Sequence, residues 1–235
     1  MPGSFYLKED LLKKMDELSI DQALVYHALA KEYDPRTGNE FLQNELAGET
    51  RLHPVWAVLP HYTGEFDPPD VLMQKMREQG IKAVTLFPAP SVQNFSLSEL
   101  NCGSLFQMLE TWQIPLLIGF DQLGGSMQAF AGLVAAHPNL PIVLTQVNYR
   151  IDRDLYPLMD RYEHFYLETS GYKVFEGISR LCRRFGAHRL LFGTGMPQTS
   201  GAAAVGLLRY ADISDAEKQM IAADNLIRLL GGVRL

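Results

Sequence analysis

HRLLFGTGMP, residues His188 to Pro197, is the stretch whose reading decides the fold. Its apolar run Leu190-Leu191-Phe192 breaks off in Gly193-Thr194-Gly195. Pro197 then lacks a backbone donor and stops any ladder. A short, continuously apolar run ending in glycine is the pattern of a parallel strand, buried on both faces, that opens into a pocket. The end of this strand should therefore lie at a functional face, although it offers no acid–base or metal-binding side chain of its own.

The same pattern recurs upstream. Ile20–Ala28, Arg51–Pro60, Ile81–Pro88, Ile114–Phe120, Pro141–Val147 and His164–Ser170 read as strands, and Leu190–Thr194 makes seven. Helical periods fill the intervals. The first spans Leu7–Leu18, with apolar residues at 7, 11, 12, 15 and 18. Asp34-Pro35-Arg36-Thr37-Gly38 reads as a turn before a helix at Glu40–Leu46. Asp67 and Pro68 read as the cap and first residue of a helix that stops at Gly80. Ser96–Glu99 reads as a capping box opening a helix to Trp112. A loop from Asp121 to Ser126 leads into a helix ending near His137-Pro138. Further helices are expected at Asp154–Arg161, at Val174–Phe185 before Gly186, at Gly201–Tyr210, after the box Ser214–Glu217, and at Asn225–Gly231.

Strands recurring at intervals of roughly 25 to 35 residues, each followed by a helix, require parallel βα units. With 235 residues and no linker or low-complexity tract, residues 1–235 read as one domain. The expected fold is a TIM-like (β/α)8 barrel, which typically takes about 250 residues. A doubly wound sheet is the alternative, but no glycine-rich phosphate loop follows the first strand. A closed barrel wants eight strands. Either Gly3–Tyr6 supplies a stub of strand, or the first strand is missing from this polypeptide.

The chain is 47% hydrophobic and 20% charged, with a net charge of -6. That composition argues against nucleic acid or an anionic membrane surface as partner. No apolar run approaches the roughly 20 residues of a membrane span. The start, MPGSFYLKED, has no apolar signal core, and Cys102 and Cys182 lack metal-type spacing. A cytoplasmic setting with reduced thiols is expected.

Taken in order, DLLKKMDELSIDQALV, GIKAVTLFP, IPLLIGF, HPNLPIVLTQVNY, RLLFGTGMP and ISDAEKQMIAADNLIRLLG give the chain a family likeness. It resembles the amidohydrolase-related proteins, the TIM-barrel metal-dependent hydrolases and decarboxylases. The resemblance implies a divalent metal at the strand ends. Its ligands would be a His-x-His pair on the first strand, a His each from the strands matching IPLLIGF and PIVLTQV, and an Asp from the last strand. The first pair has no counterpart here, and the other positions match Gly119, Gln146 and Gly195. Glycine offers no side-chain ligand, and a neutral amide is a poor replacement for imidazole. The resemblance thus implies a divergent branch with its metal site lost and no cofactor.

Barrel chemistry lies at the C-terminal strand ends. His27 and His61 end adjacent strands and could form an acid–base pair, or each could simply bond a loop carbonyl. Glu168 could be a general base, or could pair with Arg150 or a histidine. Arg150 could clamp a carboxylate, or pair with Asp121, Asp152 or Asp154. Tyr62, Tyr172 and Gln146 could line a pocket for substrate, with lid packing as the alternative for the tyrosines. Cys102 reads as a small buried residue. Three functions stay open. One is a metal-independent hydrolase or lyase acting on a small polar or carboxylated molecule. Another is a non-catalytic relative that binds a ligand or partner. The last is a start-shifted fragment whose missing strand exposes a barrel seam, covered by a partner chain or a second copy or left as a sticky edge.

Overall fold

The computed structural model describes residues 7–124 and 127–235. The strands are β1 (Ala23–Val25), β2 (Leu52–Pro54), β3 (Trp56–Ala57), β4 (Val84–Leu86), β5 (Leu116–Gly119), β6 (Ile142–Thr145), β7 (Phe165–Glu168) and β8 (Leu190–Leu191). The helices are α1 (Lys8–Leu18), α2 (Ala28–Glu32), α3 (Pro35–Glu45), α4 (Pro69–Gln79), α5 (Glu99–Trp112), α6 (Gln128–Ala136), α7 (Asp152–Arg161), α8 (Gly177–Phe185), α9 (Gly201–Arg209), α10 (Asp215–Gln219) and α11 (Asn225–Gly231). A π turn, Met220–Asp224, joins the last two. The expected strand stub at Gly3–Tyr6 and the loop residue Ser126 lie outside the described residues.

Every strand pair is parallel. β2 and β3 are halves of one line that breaks at Val55. The lower half pairs with β1 and the upper half with β4. The result is seven strand lines in the order β1-β2, then β3-β4-β5-β6-β7-β8. Their inward residues follow from strand alternation and register. Leu117, Val143, Tyr166 and Leu191 pack as one interior layer, and Leu226 and Leu229 of α11 pack against it. The outward residues, such as Val84, Leu116, Ile142, Phe165 and Leu190, join the larger core beneath the helices. This is the TIM-like barrel architecture, with α11 as a plug under the N-terminal strand ends.

The seam between β8 and β1 is bridged by helices instead of by a ladder. Gly201 of α9 lies so close to α1 that a Cβ there would be 2.6 Å from Leu18 Cδ1. The outer edge of β8 is capped by the C-terminal segment. Phe192 N–H donates to the Ile221 carbonyl (3.0 Å), and the fully buried Asn225 donates through Nδ2 to the carbonyls of Ala187 and Leu190 (both 2.8 Å). Among the described residues, no such cap covers β1. Its residues Ala23 and Val25 bond toward the β2 line, so Leu24 presents its N–H and C=O to the seam.

Two buried charged or polar clusters tie the outer layer. Arg189, buried at the start of β8, donates to the carbonyls of Phe165, Met159 and Tyr162. It thereby holds the end of α7 against the base of β7. His137, also buried, lies between Glu99 (3.0 Å) and Glu110 (3.2 Å) and locks the end of α6 to α5.

Several local expectations are corrected. The strand expected over Ile20–Ala28 is confined to Ala23–Val25, because His27 opens α2: its Nδ1 accepts from Leu29 N–H. The expected turn at Asp34–Gly38 is the first turn of α3, with Asp34 accepting from Thr37 N–H at 2.7 Å and Pro35 at the first position. Turn formers and helix openers are the same residues, which explains the confusion. Asp67 pairs with Lys75 (2.7 Å) instead of capping, and α4 starts one residue later, at Pro69. The box expected at Ser96–Glu99 does not form, since Glu99 turns to His137 and Ser98 occupies the cap. The box Ser214–Glu217 does form. Both cysteines are free and buried, and burial pushes the Cys102 thiol up to about 12. No helix among the described residues is long and apolar enough to cross a membrane.

Replacing Arg189 by Met would leave buried carbonyls of α7 and β7 without a donor. The expected loss of stability is about 2–4 kcal/mol, read by urea denaturation. A change below about 0.5 kcal/mol would mean that water replaces the clamp.

Candidate active site

Two residues beyond the interior layer, the alternation turns Phe87, Gly119, Thr145, Glu168 and Gly193 inward. Glu168 is thus the carboxyl of the barrel mouth. Ser170 donates to it through N–H (2.5 Å) and Oγ (2.8 Å), and Gln146 through N–H (3.3 Å). Burial nevertheless pushes its pKa above the usual carboxylate range; the Ser170 and Gln146 bonds oppose the shift and do not cancel it. The space it fills is made by a glycine. A Cβ at Gly193 would lie 2.2 Å from Glu168 Oε1. Gln146 is held at φ +57°, a left-handed conformation that disfavours side chains, and this turn aims its N–H at the carboxyl.

A second polar group faces the mouth from the β1 side. α2 inserts Ala30 against the inward Ala57 and Phe87. Asn39 of α3 holds it there by bonding both N–H and C=O of Ala57, taking the place of a neighbouring strand. Lys31 projects over the Phe87 ring at 5.6 Å, with Nζ 3.9 Å from Asp121 Oδ2. Gln122 donates to the same carboxylate (2.7 Å), and its own Oε1 is buried without a partner. Tyr26 stacks near Phe87, and its pKa is raised by burial, then by Asp121 and Glu32.

The sequence-derived candidates scatter. His27 caps α2, stacks on Phe41 and lies 3.7 Å from Glu45 on the outer layer. His61 lies in the loop after β3 against Tyr62, which is 64% exposed. None of their bonds or ring contacts reaches Glu168. Tyr172 is 1% exposed and donates to both oxygens of Asp152 (2.8 and 2.9 Å), so it anchors α7. Arg150 is exposed in the turn after β6 and forms no ion pair with Asp121, Asp152 or Asp154. Glu168 pairs with neither Arg150 nor a histidine; Ser170 and Gln146 take that role. Of the expected set, the structure brings together Glu168 and Gln146. Ser170, Gly193 and Lys31 were not singled out. Lys31 lay hidden because its segment read as loop beyond a strand, although Ala28–Glu32 lacks any turn former and carries Ala, Leu, Lys and Glu.

At two of the positions where the family likeness implies metal ligands, glycines stand beside polar side-chain ends. A Cβ at Gly119 would meet Asp121 Oδ1 at 2.2 Å, and one at Gly195 (φ +63°) would meet Thr199 Oγ1 at 2.5 Å. Among the described residues, no group of three or more His, Cys, Asp or Glu side chains is placed to hold a metal ion.

The molecule is therefore a parallel βα barrel whose mouth carries a half-buried, hydrogen-bonded carboxyl. Residues 43–232, most of the chain, match the amidohydrolase family, and the chain belongs to it. Solved structures share the fold at low identity. An uncharacterised TIM-barrel protein from Bordetella bronchiseptica is 18% identical, with a TM-score of 0.77 over 96% of this chain and 83% of its own. The 2,6-dihydroxybenzoate decarboxylase from Rhizobium is 19% identical, with a TM-score of 0.72 over 96% and 88%. The 4-oxalomesaconate hydratase from Rhodopseudomonas palustris is 16% identical, with a TM-score of 0.73 over 95% and 80%. No curated protein matches the chain by sequence.

A carboxyl with a raised pKa costs stability as pH climbs from the ordinary carboxylate range to its folded value, because the unfolded chain releases the proton first. Carbon-detected NMR should show Glu168 titrating above the other glutamates. Glu168→Gln should flatten that fall in stability, and Gly193→Ala should displace the carboxyl and destabilise the fold. Titration of Glu168 at or below the ordinary range would contradict this description of the mouth.

Proposed function

We propose that this protein is a metal-independent lyase or hydrolase of the amidohydrolase family. It acts on a small carboxylated molecule, with Glu168 as its proton-transfer group. The observation that carries the reading is the Glu168 carboxyl itself: inward-facing at a strand end, raised in pKa, and held by Ser170 and Gln146. Raised carboxyls at strand ends suit proton transfer near neutral pH. In a decarboxylation, the protonated Glu168 would give its proton to the carbon as the bond to the departing carboxylate breaks. Carbon dioxide leaves, the bonding pair takes up the proton, and Glu168 is left ionised. Arg150, exposed in the turn after β6, would attract the substrate carboxylate, and Gln146 on the same turn and Tyr62 on the loop after β3 are the further substrate-binding candidates.

The family's metal does not fit the residues present. Gly119, Gln146 and Gly195 stand at its ligand positions, and two glycines and a neutral amide supply no imidazole or carboxylate donor. We assign no step to a metal. Both buried thiols are free, which supports a reducing, cytoplasmic setting. The 2,6-dihydroxybenzoate decarboxylase among the structural neighbours makes hydroxybenzoates the first substrate class to try.

One observation favours a non-catalytic reading. Ala30 of α2 is fully buried against Ala57 and Phe87, narrowing the mouth on the β1 side. Such a barrel would bind a ligand without turning it over.

The test uses chelator-treated protein and 2,6-dihydroxybenzoate. The expected result is calorimetric binding that weakens at least tenfold in Arg150→Ala. Carbon dioxide release is expected to be lost in Glu168→Gln while binding is kept. Release that appears only with added manganese or zinc would overturn metal independence. Binding without release would establish the non-catalytic reading, and no binding would overturn the ligand class.

A further inference from the structure

Between the start of α8 and the flank of α9 lies a cavity of about 660 Å3, within the range of about 300–1,000 Å3 usual for small-molecule sites. We propose that this cavity binds a small phosphate monoester with an aromatic body. The proposal stands independently of the catalytic reading.

Three observations carry it. The first is the helix end. α8 begins at Gly177, and the residue before it, Glu176, makes no capping bond through its side chain. The Glu176 carboxylate lies 3.5 Å from Arg183 instead. Among the described residues, the N–H groups of Ile178 and Ser179 have no acceptor, and both residues line the cavity. Free amides at the positive end of a helix dipole attract anions.

The second is Ser179 itself. It is 1% exposed, yet among the described residues its hydroxyl has no hydrogen-bond partner. A buried polar group of this kind calls for one, and the cavity is where Ser179 meets open space. Lys173 lies in the same wall, exposed and without an ion pair among the described residues, and supplies the opposite charge. Two amides, a hydroxyl and an ammonium exceed what the two oxygens of a carboxylate can accept. They suit the three acceptor oxygens of a phosphate monoester. The other acid of the wall, Asp212, is exposed, so water and salt screen it.

The third is the rim. Phe175 and Tyr210 both line the cavity and are almost wholly exposed. Rings left in water at the edge of a cavity offer faces on which another ring can stack. Gly206, one turn before Tyr210, leaves the flank of α9 bare: a Cβ there would meet nothing within 4 Å. Inorganic phosphate alone would leave these apolar surfaces in water.

The test titrates phenyl phosphate into the isotope-labelled full chain and follows the Ile178 and Ser179 amides by NMR. Saturable shifts are expected at both, with inorganic phosphate, phenol and benzoate each at least tenfold weaker at these amides. Lys173→Ala should weaken phenyl phosphate about tenfold. Tyr210→Ser should weaken phenyl phosphate and leave inorganic phosphate unchanged. Gly206→Leu fills the cavity where no atom stands in its way. It should abolish binding while circular dichroism and the thermal midpoint hold. Unmoved Ile178 and Ser179 amides, equal binding of inorganic phosphate, phenol or benzoate, or binding that survives Lys173→Ala or Gly206→Leu would overturn the proposal.

Discussion

A parallel strand in a barrel needs a neighbour on each edge, and the seven strand lines among the described residues leave two edges over. Much of the molecule can be understood as the management of those edges. On β8 the solution is local: Asn225 and the Ile221 carbonyl bond the outward groups, and α11 then drops under the barrel as a plug. On the upper half of the second strand line, Asn39 does the same for Ala57, where β1 has already turned away. Among the described residues, the edge of β1 at Leu24 has neither a strand nor a cap beside it.

The same departure of β1 shapes the mouth. Because the chain leaves the sheet at His27, α2 folds inward and carries Ala30 and Lys31 over Phe87. The close approach of α2 and α3 depends on Gly38, where a Cβ would come within 2.2 Å of Ala30 N. The far side of the mouth is organised around Glu168, for which Gly193 makes room and Gln146 adopts a left-handed turn. Backbone strain of this kind persists only where surrounding contacts impose it. Here those contacts are hydrogen bonds to one carboxyl.

The order of strands and helices was legible because apolar runs and glycine stops are local signals. HRLLFGTGMP marked the last strand correctly, although the ladder itself ends at Leu191. Glu168 was legible as an inward carboxyl from its place in a strand. Its partners were not, since two of the three donors, Ser170 N–H and Gln146 N–H, are backbone groups with no signature in side-chain chemistry. Histidine drew attention for its titration range, yet His27 serves as a helix cap and His137 as a buried tie between two glutamates. Arg189, Asn39 and Asn225 went unnoticed for a common reason. Each bonds main-chain groups that only the assembled barrel brings within reach.

The central claim is that, among the described residues, the β8 edge is capped by the C-terminal segment and the β1 edge is left without a partner. Native-state hydrogen exchange on the chain tests it most directly. The Phe192 amide, bonded to Ile221, should exchange at least ~100-fold more slowly than the Leu24 amide, which faces the seam. Comparable strong protection at both positions would contradict an unpartnered β1 edge.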